Sequence, residues 1–274
     1  MKIPFLLWVV LLTAGLAPNG RAYAEPLDLH YDASVVGLPV VSLDFHVEEG
    51  DGLYRIHGDA ATEGIANILF HFHMIVQSEG GIAGGVLSPS VADTVSLRRS
   101  GRREIRLDYH DGAVKTSLIP TPSEADRETL PADTANTFNP LAAILSAAHQ
   151  FAATGRCDMR IKIFDGHRRY DWVFSDLGEE TIDSGAFSGK ARHCTLVMEH
   201  GHGMPYYPEV QDAPSENPAN HHNPADVWLA PPRPGADPLP VRLKFHSAWG
   251  GATIRLAAIG PAEAKSGATH AALP

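Results

Sequence analysis

Histidine is the residue type that raises the first chemical question, with fifteen copies in 274 residues. His200, His202, His221 and His222 lie along a stretch rich in Pro and Asn that also carries Glu199, Glu209 and Asp212. Imidazole and carboxylate donors are the ligand types that zinc and copper take. His71 and His73 would share one face of a strand and offer two more donors. Neither set closes to four ligands by spacing, and histidines on polar strand faces are ordinarily just solvated. Metal binding by the loop histidines is therefore the second reading of function.

The two cysteines come next. Cys157 shares a strand face with Met159, Ile161 and Ile163, and Cys194 shares one with Leu196 and Met198. Both thiols thus point to the apolar side, where two sheet segments can be joined by a disulfide. Two buried free thiols are the alternative, and the spacing is far from the C-x-x-C of a redox pair. Asp165-Gly166 is a hairpin-turn signal. Arg168 and Arg169 follow it on opposite faces, so only one can point inward. An inward Arg168 would need a carboxylate or an anionic headgroup; the alternative is a solvated pair at the hairpin tip.

Aromatic residues supply the remaining candidates. Phe45, Tyr54, Phe70, Phe72, Trp172 and Phe174 fall on apolar strand faces and would converge on one concavity if the sheet curls. That surface suits a lipid or another hydrophobic small molecule. Catalytic signatures are missing: there is no G-x-S-x-G, H-E-x-x-H or S-x-x-K. No glycine-rich segment opens a helix as a phosphate loop does. The expectation is a protein that is not an enzyme and needs no cofactor.

The elements that would position these residues are mostly strands. Val41, Leu43, Phe45 and Val47 alternate with polar residues, and Gly50-Asp51-Gly52 turns the chain into Leu53–Asp59. Ile68, Phe70, Phe72, Met74 and Val76 read as one face of the next strand. Further alternating segments are 104–110, 113–119, 157–164, 167–174, 193–199, 241–246 and 253–259. Short turn signals such as Asp111-Gly112 and Gly250-Gly251 make sequential neighbours antiparallel, since parallel crossovers need a dozen residues or more. The pattern predicts a mainly β fold, an antiparallel meander of about ten to twelve strands forming a curved or barrel-like sheet. A single helix interrupts it. Asn139 can cap, Pro140 suits the first helical position, and Leu141, Ile144, Leu145 and Ala148 follow at helical spacing over 140–154, with Gly155 as the stop. One short apolar stripe is expected to leave part of the concavity uncovered.

Export is read from the first 24 residues. Lys2 precedes an apolar run from Ile3 to Ala17, and Ala22-Tyr23-Ala24 has small residues where a signal peptidase reads. Fifteen apolar residues fall short of the ~20 that span a bilayer, so a cleaved leader is expected and no transmembrane segment after processing. The expected destination is an oxidising compartment outside the cytoplasm, where two thiols ordinarily pair. The mature protein is expected to be one β-rich domain over 25–260, with an irregular loop over 201–224 and a disordered tail over 261–274. A net charge of −10 argues against nucleic acid as a partner.

Several short elements occur in a recognisable order: Tyr31…Gly37-Leu38-Pro39, Tyr54…Gly64-Ile65-Ala66, Asn139-Pro140-Leu141, Ile163-Phe164-Asp165-Gly166-His167-Arg168-Arg169, Val227-Trp228-Leu229 and Pro240-Val241-Arg242. Over residues 28–259 this order resembles the domain-of-unknown-function 3108 family of exported bacterial envelope proteins. The two cysteines resemble a pair seen in a proteobacterial branch of it. The resemblance implies a periplasmic, β-rich protein and brings no catalytic residues with it. The expected function is a non-catalytic envelope protein, a carrier or structural factor that binds a hydrophobic ligand and could contact other envelope proteins.

Overall fold

The structure is a computed structural model that describes residues 25–124, 131–203, 224–247 and 250–261. The expected leader over 1–24, His221 and His222, and the expected tail beyond 261 fall outside the described residues.

Thirteen strands form one antiparallel sheet. The first seven are β1 (Leu27–Val35), β2 (Leu38–Gly50), β3 (Leu53–Thr62), β4 (Phe72–Ala83), β5 (Val86–Arg98), β6 (Gly101–His110) and β7 (Ala113–Ile119). The other six are β8 (Met159–Phe164), β9 (Arg168–Ser184), β10 (Phe187–Gly203), β11 (Ala225–Ala230), β12 (Leu239–Ser247) and β13 (Gly250–Pro261). The spatial order is β7-β6-β5-β4-β3-β2-β1-β13-β12-β11-β10-β9-β8. The chain therefore starts mid-sheet, meanders out to one edge, crosses to the opposite edge, and meanders back until β13 pairs with β1. Two-residue turns make many of these steps local, among them β1–β2, β2–β3, β4–β5, β6–β7 and β9–β10. Asp51-Gly52 and Asp111-Gly112 have positive φ at both positions (52° and 74°, 49° and 79°), the geometry that matches the twist of a hairpin.

Edges β7 and β8 do not pair, so the sheet is curled and open rather than a closed barrel. The curl is nonetheless deep. Phe164 at the end of β8 packs with Ala92, Ile105 and Leu107 of β5 and β6, which lie near the opposite edge in the strand order. Just before the crossing helix, Phe138 bridges β8: its N–H donates to the Lys162 carbonyl at 2.8 Å and its carbonyl accepts from Phe164 N–H at 2.9 Å.

The connection that joins the two edges runs over the concave face. It does so as helix α2 (Pro140–Thr154). Asn139 caps it, accepting from Ala142 N–H at 3.0 Å, and Gly155 ends it in the left-handed conformation with φ 68°. The helix is buried on two sides rather than along one stripe. Ala142, Leu145 and Ala148 join Leu29, Val47, Tyr54, Ile56 and Leu256 in one cluster. Ala143 and Ala147 join Ile161, Ile163, Phe174, Cys194 and Val227 in another. Alanine makes this possible, since side chains so short let the backbone approach both walls.

Three expectations are corrected. Ile68 and Phe70 do not extend the strand containing Phe72. Gly64–Phe70 is a second helix, α1, and β4 begins only at Phe72. Ile68 is 70% exposed, so the alternation reaching back to it was not a buried face. Among the described residues, helices α1 and α2 stand where a single one was expected, and thirteen strands exceed the ten to twelve counted. The extra strands include β1, β5 and β11; β5 carries Pro89 beside an irregularity in its pairing with β4, which blurs the alternation. Finally, β10 continues past an irregularity between Glu199 and His202 as far as Gly203 opposite Arg168, so residues 201–203 are strand and not loop. No helix among the described residues is long and apolar enough to cross a membrane.

Candidate binding groove beneath helix α2

The concavity is mostly filled by α2, but not at the helix N-terminus. There a groove of about 180 Å³ runs between Leu141 and the inner faces of β2, β4, β5 and β6. Its walls are Phe45, Met74, Val76, Ala92, Ile105 and Leu107, with Thr94, Asn139 and Asp165 as polar points. Strand register explains the convergence. Phe45, Gly58, Val76, Thr94 and Ile105 are successive partners across β2 to β6 and so share one face. Gly58 sets the shape: a Cβ there would lie 2.6 Å from the Phe45 ring and 2.7 Å from Val76. Only glycine lets that ring lie down across β3.

A buried polar chain fixes the helix over this groove. The Asn139 side-chain amide donates to Ser78 Oγ at 2.9 Å, and Ser78 Oγ is 3.2 Å from the Tyr54 hydroxyl. All three residues are nearly inaccessible. Burial pushes the Tyr54 phenol up to about 12, so it stays neutral and available as a hydrogen-bond partner.

The residues singled out in the sequence are brought together only in part. Phe45 lines the groove. Tyr54 lies deeper, in the polar chain beside it. Phe72 stands at the start of β4 with the Arg98 guanidinium 4.7 Å above its ring centroid, away from the groove lining. Phe70 belongs to α1. Trp172 and Phe174 meet edge to face at 6.4 Å, in the cluster on the other side of α2. The helix thus divides the aromatic wall that the alternation placed on one face.

Of the two arginines, Arg169 is the buried one. Its guanidinium is hydrogen-bonded to Asp171, which also accepts from Arg160 at 2.9 Å. Burial works against the Asp171 carboxylate, but the two arginines overcome it and hold its pKa below the ordinary value. Arg168 is half-buried, with Nε 3.3 Å from Asp165. Asp165 also accepts the backbone N–H groups of His167 and Arg168 at 2.9 and 2.7 Å, closing the hairpin tip. Cys157 and Cys194 form a disulfide that passes over β9. Its neighbour Asp176 accepts from Cys157 N–H at 3.1 Å and from Arg192 Nε at 2.8 Å.

The histidine sets fare differently. His71 Nδ1 is 2.9 Å from the Asn67 side chain, whereas His73 pairs with Asp59, so the two do not act together. Of the loop set, only the backbone of His200 and His202, in β10, is described. The histidine that does meet carboxylates inside a cleft is His149 of α2, close to Glu49 and Asp237. No sequence spacing signals that group.

A model of the family described as "Protein of unknown function (DUF3108)" matches residues 28–257. The chain belongs to the DUF3108 family. Among solved structures, it is similar to a β-barrel-like protein of domain of unknown function DUF1849 from Brucella abortus. The two share 10% identity at a TM-score of 0.50, over 87% of this chain and 98% of that one. That likeness concerns the fold alone. The chain matches no curated protein.

In this DUF3108 chain, the short elements that carry the resemblance are scaffold. Asn139-Pro140 starts α2, and Asp165 closes the β8–β9 tip. Val227-Trp228-Leu229 and Pro240-Val241-Arg242 meet on neighbouring strands. Trp228 there stacks on His193 at 4.5 Å, lies under Arg242 at 3.7 Å, and donates to Glu180 at 2.9 Å.

Proposed function

We propose that this DUF3108 protein is an exported, non-catalytic component of the bacterial envelope that holds an acyl chain in the groove under α2. The carrying observation is the groove itself: a mainly apolar channel left open beneath the first turn of α2. Whole small-molecule ligands commonly occupy roughly 300–1,000 Å³. At about 180 Å³ this groove is smaller, which fits one hydrocarbon chain end entering past Leu141 while the remainder of the lipid stays outside. Of its polar points, Asn139 and Asp165 already have partners within the protein, so the affinity is mainly apolar and tolerant of headgroup. The apolar run from Ile3 to Ala17 and the Ala22-Tyr23-Ala24 site support the exported location.

The test is to purify the protein from its own cells without detergent and analyse extracted lipid by mass spectrometry. Fatty-acyl species near one per protein are expected. Lipid-free protein that also fails to take up added fatty acid would contradict the proposal.

A further inference from the structure

The two ends of α2 face different surroundings. Its first turn borders the groove, and its third turn carries His149 toward a second cleft of about 310 Å³ beside β2 and the segment joining β11 to β12. We propose that Glu49, His149 and Asp237 hold one divalent transition-metal ion of the zinc class, with a coordination position open to that cleft.

Three independent elements deliver the donors. Glu49 comes from the end of β2, His149 from α2, and Asp237 from the β11–β12 connection. One donor atom of each lies within 4.8 Å of the others. His149 Nε2 is 2.7 Å from Glu49 Oε2 and 3.5 Å from Asp237 Oδ2. Tetrahedral zinc, bonded to nitrogen and oxygen at about 2.0–2.2 Å, spaces neighbouring donors by roughly 3.3–3.6 Å. The His149–Asp237 separation already fits that spacing, and His149 and Glu49 need to part by roughly 0.6–0.9 Å.

The orientation of the imidazole points the same way. Its Nδ1 lies 3.3 Å from the Gly85 carbonyl, in the β4–β5 turn. A carbonyl only accepts, so Nδ1 donates to it, and Nε2 is the ring atom turned toward the two carboxylates. Metal-binding histidines are held in this manner, the far ring nitrogen donating to a backbone carbonyl. The ring is 10% exposed and Glu49 20%, while Asp237 at 50% leaves an entry path from solvent.

Donor chemistry selects the metal. Calcium and magnesium take all-oxygen shells of six or more. One imidazole nitrogen with two carboxylates suits zinc and its transition-metal neighbours. Three protein donors leave the fourth position free, and Leu27, Val47 and Leu145 of the adjoining cleft wall it with apolar surface. The competing arrangement is an ion-pair latch, with His149 and Glu49 tying helix to sheet and no metal involved.

Zinc titration by calorimetry decides between them, on full-length protein in which His200, His202, His221 and His222 are alanine so that the loop cannot contribute. The expected result is one zinc per chain, not displaced by excess calcium. His149→Gln, Glu49→Gln and Asp237→Asn should each weaken binding by at least about tenfold. Asp237 sits on an exposed connection, so Asp237→Asn should leave the fold intact and test the site even if His149→Gln does not fold. Absence of zinc binding in the loop-alanine protein, or unchanged affinity in Asp237→Asn and Glu49→Gln, would overturn the site in favour of the latch.

Discussion

The side-chain amide of Asn139 donates to Ser78 Oγ at 2.9 Å while its carbonyl oxygen caps α2 by accepting from Ala142 N–H at 3.0 Å. One buried side chain thus begins the helix and fastens it to the centre of β4. Removing it costs a cap, about 1 kcal/mol, and a buried hydrogen bond of about 0.5–1.5 kcal/mol. Asn139→Ala should lower stability by about 2 kcal/mol, and Ser78→Ala by about 1 kcal/mol, as read from chemical denaturation. The double variant should lose less than the sum of the singles. Strict additivity would show that the two side chains do not communicate.

The disulfide closes a loop of 37 residues that contains all of β8 and β9. The chain-entropy account gives about 3–4 kcal/mol for a loop of that length. Cys157→Ala with Cys194→Ala should lose that much stability, and the wild type should lose a similar amount under reductant strong enough to open the bond. A double variant as stable as the oxidised protein would refute this.

Gly58 is required by the ring beside it. In Gly58→Ala the new methyl meets Phe45 and Val76 at 2.6–2.7 Å, so both must shift. Such overpacking costs about 1–3 kcal/mol. The displaced ring should also narrow the groove, so fatty-acid uptake and stability should fall together. An unchanged melting temperature would mean that the Phe45 ring moves aside freely.

His46 gives the stability a pH dependence with a definite sign. On the outer face of the sheet it lies 2.7 Å from Asp28 and 3.0 Å from Glu48. Burial opposes its charge, but the bonds to Glu48 and Asp28 prevail and its pKa is raised above the ordinary value. A raised histidine stabilises the fold fully below the unfolded value, about 6.5, and that contribution disappears as pH climbs through the raised one. The stability gap between wild type and His46→Gln should therefore be larger near about pH 5.5 than near about pH 9. A gap that is constant or grows with pH would contradict the assignment.

Where the sequence was legible, the signal was local. Asn139-Pro140 with Gly155 marked α2 to the residue, and the alternation in β2 and β3 put Phe45 and Tyr54 on apolar faces. The faces of Cys157 and Cys194 were legible for the same reason. What could not be read is long-range. The alternation puts Trp172 and Phe45 on the same face, but nothing in it says that α2 will lie between them. Nor does it say that Val76 and Ile105 stay uncovered while Phe174 is packed. Ile68 and Phe70 were misplaced because two apolar residues two apart fit the end of a strand as well as a seven-residue helix. Glu49, His149 and Asp237 come from three separate elements, and only the crossing path of α2 makes them neighbours.

Everything proposed for the groove depends on whether the space bounded by Phe45, Val76, Thr94, Ile105 and Leu141 receives a hydrocarbon chain. Thr94→Phe probes that space at its wall, because Thr94 lies between Val76 and Ile105 in register. A phenyl ring there fills the space with protein instead of guest, and does so without burying a charge. Fluorescent fatty-acid titration, run alongside thermal denaturation, is the measurement. About one equivalent should bind to the wild type, and a folded Thr94→Phe protein should lose that binding. Equal uptake by both folded proteins, or none by the wild type stripped of lipid, would contradict an acyl chain in the groove.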